Sequence, residues 1–146
     1  GTPLLITQPF YHMLDRWAEK SGLLDAAQEV GAGVICFSPL AQGVLTDRYL
    51  EGIPKDSRAA RNHFLHESSI TEHKLSIVRR LKEIANGRGQ SLAEMALAWD
   101  LRGDKVTTVL IGTSRKEQIA ENVKIVKHLE FTEEELAAIE AVLADY

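Results

Sequence analysis

Three short runs of apolar residues, rich in β-branched side chains, most constrain the fold of this chain. They are Leu4 to Thr7, Val34 to Phe37 and Val106 to Ile111. The apolar residues are continuous within each run, which is typical of strands that are buried on both faces of a sheet. Helical patterns separate the runs, so the sequence predicts an α/β fold with parallel strands and right-handed crossovers.

Three strands are too few to complete such a sheet. Parallel sheets have both faces covered, and open edges invite pairing with another chain. We therefore expect either more strands in an N-terminal portion that precedes this chain or edges that a partner completes. The start "GTPLLITQ" has no initiator methionine, which also indicates a segment of a longer protein.

The segments around the strands carry helical patterns. Trp17, Leu24, Ala27 and Val30 can share one helical face, and Gly31 ends that helix. Further helices are predicted to start after Thr71, at a capping box of Ser91 with Glu94, and at a capping box of Thr132 with Glu135. A helix over 116–127 follows the third strand. The predicted inward residues of these four helices are Leu75, Val78, Leu81, Ile84 and Ala85; Leu92, Met95, Ala96 and Trp99; Ile119, Val123 and Val126; and Leu136, Ile139 and Val142 or Leu143.

The composition favours one domain over residues 1–146 and limits its partners. Of the 146 residues, 45% are hydrophobic and 26% are charged, and the net charge is -4. This balance argues against broad binding to nucleic acid or to anionic lipid, so any anion site must be local. The lone Cys36 allows no disulfide within the chain, and no apolar stretch reaches the roughly 20 residues of a membrane span, so we expect a cytoplasmic protein.

The junction after the third strand is the first candidate site. Gly112 permits close backbone approach, and the free N–H groups of a first helical turn attract phosphate. Thr113, Ser114 and Arg115 add hydroxyl donors and a planar charged fork. A capping box of Ser114 with Glu117 explains the serine and the acid without a ligand, so both interpretations stay open.

Two further candidates follow the other strands at the same edge of the sheet. Ligands of parallel α/β folds bind beyond the carboxyl ends of the strands. The turn Ser38–Leu40 leads into a long polar loop over 41–69. Either Ser38 or the Leu40 backbone N–H holds a pyrophosphate there, or Pro39 and Gly43 simply shape a turn. Gln8 and Tyr11 offer an amide and an aromatic ring, and the alternative is a tyrosine packed over the rim.

The remaining sequence features are weaker indications of a functional site. His63, His66 and His73 lie in or near the polar loop without a cysteine or a carboxylate at metal-ligand spacing, so no metal site is predicted. Trp17 and Trp99 are expected in the core. The chain contains no glycine-rich dinucleotide fingerprint, no phosphate-binding lysine motif and no nucleophile elbow.

Four blocks, taken together, resemble the C-terminal segments of aldo-keto reductases in their order. They read "QPFYHMLDR", "FSPLAQGVLTDRYL", "RGQSLAEMALAW" and "VTTVLIGTSRKEQIAENV". The resemblance covers essentially the whole chain. It is closest to the bacterial glyceraldehyde 3-phosphate reductase-like group, which is related to potassium-channel beta subunits.

The resemblance implies that this chain is the C-terminal part of a (β/α)8 TIM barrel, with its strands as the sixth, seventh and eighth. It implies an extended NADPH, with the carboxamide held by Gln8 and the nicotinamide stacked on Tyr11. The catalytic Asp, Tyr, Lys and His of the family come from earlier strands, so no catalytic residue is assigned here. His12 departs from the asparagine of many relatives. The residues that the resemblance assigns to the cofactor are Gln8, Tyr11, Ser38, Pro39, Leu40, Gly43, Ile111, Gly112, Thr113, Ser114, Arg115, Gln118, Glu121 and Asn122.

The expected function is therefore NADPH-dependent reduction of aldehydes or ketones by the complete protein, with this segment inactive alone. The alternatives are a non-enzymatic nucleotide-binding regulatory module that resembles the channel subunits, and a flavodoxin-like domain formed by strand pairing between two copies. The expected partners are a small-molecule carbonyl substrate and either a second copy or the N-terminal part. Neither a nucleic acid nor a membrane is expected as a partner.

Overall fold

A parallel sheet organises two separate stretches of the chain, Gly1–Pro39 and Ala96–Glu130. The computed structural model describes residues 1–55, 57, 60 and 65–146. The strands are β1 (Ile6–Thr7), β2 (Gly33–Phe37) and β3 (Thr108–Leu110), in the order β1-β2-β3. Both pairings are parallel, with Ile6 opposite Gly33 and Ile35 opposite Thr108. The predicted parallel α/β arrangement is thus confirmed for these strands.

Six helices lie among the described residues. They are α1 (Trp17–Lys20), α2 (Leu23–Glu29), α3 (Glu72–Gly87), α4 (Leu92–Asp100), α5 (Lys116–Asn122) and α6 (Glu133–Leu143). Short 3-10 turns occupy Ala41–Gly43, Asp47–Tyr49, Glu67–Ser69, Arg102–Asp104 and Val123–Lys127.

The chain divides into two compact units. The sheet unit comprises Gly1–Pro39 and Ala96–Glu130, and its buried residues include Val34 and Cys36 of β2. The helical unit comprises Leu40–Met95 and Phe131–Tyr146, and in it α3 packs on α6. The buried residues at that helix pair are Ile77, Val78, Leu81, Ala85, Ile139 and Val142.

Burial on both faces is not observed in full for any of the three strands. In β2, Val34 and Cys36 are buried on one face, whereas on the other face Ile35 is half-buried and Phe37 is exposed. Leu5 is 72% exposed, and Ile6 and Leu110 are also exposed. The prediction was wrong for β1 and β3 because each is an edge strand that has a neighbour on one side among the described residues. A continuous run of apolar residues shows which side chains a strand can bury. Whether they are buried depends on the elements that pack against the strand.

The first predicted helix is broken into two. Gly22 adopts a left-handed φ of 80° between α1 and α2, a conformation that glycine reaches without steric cost. The break rotates the two helices out of the shared face. Leu24 and Ala27 are buried as expected, but Trp17 is 62% exposed and Val30 is also exposed, so their inward placement was wrong.

The predicted starts of α3, α4 and α6 are confirmed. Thr71 Oγ1 accepts a hydrogen bond from the Lys74 N–H at 3.1 Å. Reciprocal bonds join Ser91 with Glu94 (2.7 and 3.2 Å) and Thr132 with Glu135 (2.8 and 3.1 Å).

The buried faces of these three helices match the prediction in part. The apolar stripes of α3 and α6 are buried or half-buried as expected. The exception is α4, which is buried on nearly all sides from residue 95 to residue 100 instead of along one face.

The helix predicted over 116–127 changes geometry midway. After Asn122 the chain continues as a 3-10 turn, in which three residues complete a turn instead of 3.6. This change displaces the expected stripe, so Ile119, Val123 and Val126 are exposed while Asn122 and Ile125 are buried.

The described part of the long connection over 41–69 is more regular than a polar loop. Its described part contains three 3-10 turns, and Val44, Leu45 and Tyr49 are buried. His63 lies outside the described residues. Among the described residues, no helix has both the length and the apolar character that crossing a membrane requires.

Candidate functional site

The carboxyl ends of the three strands meet at one rim of the sheet unit. The Phe37 N–H donates to the Pro9 carbonyl at 3.1 Å, and Phe10 forms a parallel bridge with Phe37 beyond the strands. On the other side, Phe37 is in register with Leu110 of β3. The residues that follow β1, β2 and β3 therefore start from adjacent positions, as the three sequence candidates require.

The aromatic ring exposed at this rim belongs to Phe37. This residue is 38% exposed, and its ring lies 5.4 Å from that of Phe10. Gln8 is also exposed. Sequence reasoning missed Phe37 because it was taken as the last residue of a buried strand. The signal that points to it is an aromatic residue at the point where a central parallel strand ends.

The Tyr11 side chain is packed in the interior and is not exposed at the rim. It is 1% exposed, and its ring stacks on Trp99 at 5.7 Å between centroids. Its hydroxyl donates to Glu19 Oε2 at 2.8 Å and accepts a hydrogen bond from Arg102 at 2.9 Å. Burial raises the pKa of the Tyr11 phenol, although Arg102 opposes the shift. The exposed ring that we expected is not observed, and the packed alternative describes this side chain.

His12 serves the turn that follows β1. Its Nδ1 accepts hydrogen bonds from the backbone N–H groups of Leu14 and Asp15, each at 3.1 Å. A nitrogen that accepts two N–H groups carries no proton. An asparagine oxygen makes the same kind of contact in an Asx turn, so the asparagine that the family resemblance implies at this position would support the same turn.

The segment after β2 leaves the sheet in an unusual conformation. Ser38 has a left-handed φ of 57° and precedes the buried Pro39. Non-glycine residues seldom adopt this region, and such strain clusters at functional sites. Ser38 is half-buried, so its hydroxyl lies at the edge of the sheet unit near the end of β2.

Leu40 and Gly43 belong to a tight turn at the start of the helical unit. The Leu40 carbonyl accepts hydrogen bonds from the N–H groups of Gly43 (2.9 Å) and Leu45 (3.1 Å). Gly43 has a φ of 97°, and a Cβ there would contact the Tyr49 ring at 3.6 Å. The structure therefore supports the turn-shaping interpretation of Gly43. That role is compatible with a pyrophosphate loop.

The segment after β3 is mostly exposed. Ile111 is half-buried, whereas Gly112, Thr113, Ser114 and Arg115 are all exposed. The predicted capping box of Ser114 with Glu117 is not formed because α5 begins one residue later, with Arg115 as its N-cap.

Gln118 occupies the amide donors at this helix start. Its Oε1 accepts hydrogen bonds from the N–H groups of Ser114 (3.1 Å) and Arg115 (3.3 Å). The groups that remain exposed at this helix start are the hydroxyl groups of Thr113 and Ser114 and the Arg115 guanidinium. Glu121 is exposed and Asn122 is buried.

No group of three His, Cys, Asp or Glu side chains that could hold a metal ion occurs among the residues that the structure describes. His66 and His73 are both exposed there.

The family model described as the aldo/keto reductase family matches residues 1–144 of this chain. The chain belongs to the aldo/keto reductase family. It is 52% identical to the L-glyceraldehyde 3-phosphate reductase of Escherichia coli strain K12 over 98% of this chain and 42% of that protein. It is 37% identical to a probable voltage-gated potassium channel subunit beta of Oryza sativa over 95% of this chain and 44% of that protein.

Solved structures agree with this membership. The glycerol dehydrogenase of Gluconobacter oxydans superposes with a TM-score of 0.80 at 27% identity, over 98% of this chain and 43% of that chain. A thermostable aldo-keto reductase solved with the inhibitor epalrestat gives a TM-score of 0.65 at 25% identity, over 96% of this chain and 40% of that chain. The chain thus spans less than half the length of these relatives.

Proposed function

We propose that the complete protein reduces aldehydes or ketones to alcohols with NADPH, and that this chain supplies much of the cofactor site. The observation that carries the proposal is the meeting of Gln8, Phe37 and the segment Gly112–Arg115 at one rim of a parallel sheet in an aldo/keto reductase. A small phosphorylated aldehyde is the proposed substrate, since the relative at 52% identity is named for glyceraldehyde 3-phosphate.

The side chains at the nicotinamide end of the rim fit the proposed cofactor. The exposed Gln8 amide has both a donor and an acceptor for the carboxamide. The exposed Phe37 ring takes over the stacking role that the family resemblance gave to Tyr11, because a flat heterocycle packs well on an aromatic face. When bound, the reduced nicotinamide supplies the hydride.

The remaining groups follow the extended shape of the cofactor. Ser38, Pro39, Leu40 and Gly43 form the proposed pyrophosphate loop. The ribose 2'-phosphate is proposed to lie against Thr113, Ser114 and Arg115, whose side chains are exposed. Since Gln118 already accepts from two amides there, the phosphate is held by hydroxyl groups and the guanidinium instead of by the free helix end. Ile111, Gly112, Gln118, Glu121 and Asn122 complete the proposed adenosine side.

Replacing Arg115 by alanine in the complete protein tests this assignment. Loss of one charge-assisted contact to phosphate should weaken NADPH binding by about 1.5 to 3 kcal/mol and leave NADH binding nearly unchanged. Titration calorimetry with the two cofactors measures the difference. Lys116→Ala is the matched control, because Lys116 is the next exposed cation on the same segment. Equal losses for NADPH and NADH in Arg115→Ala would refute the role of Arg115.

A second candidate function is a regulatory module that binds the nucleotide without turnover. The 37% identity to a probable potassium channel subunit beta favours it. The complete protein distinguishes the two: consumption of NADPH with a phosphorylated aldehyde supports the enzyme, whereas binding of NADPH with no consumption across small aldehydes and ketones supports the module. A cytoplasmic protein that works as a homo-oligomer or with its N-terminal portion is compatible with both.

A further inference from the structure

A half-buried ionic network joins the segment after β1 to the segment that leads into β3. Arg102 donates to the Tyr11 hydroxyl at 2.9 Å and to Glu19 Oε2 at 3.1 Å, across separations of 91 and 83 residues. It also donates to the Trp99 carbonyl at 3.0 Å, and its guanidinium carbon lies 3.5 Å from the centroid of the Trp99 ring. One side chain thus fixes residues of three separate segments.

Glu19 of α1 completes the network. Glu19 accepts hydrogen bonds from Arg16 at 2.7 and 3.2 Å, in addition to those from Tyr11 and Arg102. Burial raises the pKa of the Glu19 carboxyl, but the bonds from Arg16 and Tyr11 and the charge of Arg102 outweigh it and lower that pKa to about 2. Glu19 therefore stays charged, and the charge-assisted bonds persist over the whole physiological pH range.

The anchored segment carries the residues at the nicotinamide end of the rim. Gln8 lies three positions before Tyr11, and Phe10, the residue before Tyr11, packs on the Phe37 ring. The other end of the segment is held by the bond between Pro9 and Phe37. Tyr11 is thus a second anchor, at the far end of the segment that carries the Gln8 amide and the Phe10 ring.

We propose that Arg102 is a positioning residue, which through Tyr11 and Glu19 sets the Gln8–Phe10 segment for the nicotinamide half of the cofactor. This inference rests on the proposed function. The inference applies only to the nicotinamide half of the cofactor site. The adenine half is assigned to the segment 111–122, which the hydrogen bonds of Arg102 do not reach. A misplacement of about 1 Å by a remote substitution can cost as much as a hundredfold in rate.

The test compares Arg102→Met with the wild type in the complete protein, using NADPH and 2',5'-ADP, the half of NADPH that lacks nicotinamide. We expect NADPH affinity to fall about tenfold or more, with 2',5'-ADP affinity unchanged. Arg102→Lys should recover part of the loss. Lys105→Met is the matched control, since Lys105 pairs with Asp25 at 2.5 Å in the same connection and should leave both affinities unchanged.

Tyr11→Phe is a second variant in case Arg102→Met does not fold. It keeps the ring on Trp99 and removes the hydroxyl that Arg102 and Glu19 hold, so NADPH should weaken in the same selective way. Unchanged NADPH affinity, or an equal loss for NADPH and 2',5'-ADP, overturns the positioning role. A wild type that binds neither ligand instead overturns the proposed function, and the inference falls with it.

Discussion

At the scale of single residues, Asp100 is the most unusual side chain of the sheet unit. It is buried, and neither of its carboxylate oxygens has a hydrogen-bond partner among the described residues. Burial raises its pKa well above the usual range, and the nearby Arg102 only partly opposes the shift. A charged carboxylate without partners is costly in such a place, so burial favours the protonated form of this group.

Asp100 should therefore make the protein less stable as pH rises. Its pKa is raised in the folded state, so its contribution is fully present below the unfolded pKa of about 3.9 and is lost as pH rises toward the folded value. Over that interval the free energy of unfolding falls as pH rises. Asp100→Asn should flatten this slope, which denaturant unfolding of the complete protein at several pH values measures.

Asp104→Asn is the control for this experiment. Asp104 is exposed, and asparagine tolerates its left-handed φ of 59° as well as aspartate does. Its replacement should leave the slope of the wild type in place. Parallel pH profiles for the wild type and Asp100→Asn would show that Asp100 is not the source.

At the scale of elements, helix starts are set by very local chemistry. Thr132 with Glu135 and Ser91 with Glu94 form the boxes that their spacing predicts. The start of α5 differs because Gln118 reaches back to the Ser114 and Arg115 amides in place of the expected pair.

Two alanine substitutions distinguish a cap that is formed from one that is not. Thr132→Ala removes the acceptor for the Glu135 N–H and should cost about 1 kcal/mol of stability. Ser114→Ala should cost close to nothing, because the cap of α5 comes from Gln118. Denaturant midpoints of the two variants measure the contrast. A loss in Ser114→Ala as large as that in Thr132→Ala would contradict the observed start of α5.

Much of the element pattern could be predicted from the sequence, whereas its exposure could not. Capping residues and apolar periodicity act within a few positions, so α3, α4, α6 and the three strands were found. The exposure of Trp17 depends on the break of the helix at Gly22. The burial of Tyr11 depends on Arg102, which is 91 residues away in the sequence. Among the candidate site residues, the common rim followed from strand direction, but the exposure of Phe37 in place of Tyr11 required three-dimensional contacts.

At the scale of the whole molecule, the edge of β1 is the surface that we expect to affect self-association in solution most strongly. Leu4 and Leu5, which directly precede β1, are exposed, and so is Ile6 of this edge strand. Unpaired backbone groups beside apolar side chains favour pairing with another strand.

The isolated 146-residue chain should therefore associate with itself in a concentration-dependent way. Leu5→Lys should reduce that association, because a charged side chain on an edge strand opposes strand pairing. Sedimentation velocity of the chain and the variant measures the change. Val126→Lys is the control, since Val126 is similarly exposed but lies in a 3-10 turn after α5. Equal effects of the two variants would assign the association to general apolar surface instead of to the strand edge.

The left-handed Ser38 has a mechanical consequence. A residue that precedes proline has few backbone conformations to choose from, and Ser38 already occupies a sparsely populated one. A large rotation at this position would cross steric barriers on either side, so it is poorly suited to act as a hinge. The backbone at the end of β2 therefore keeps one geometry, which holds Phe37 and Pro39 in a fixed relative orientation.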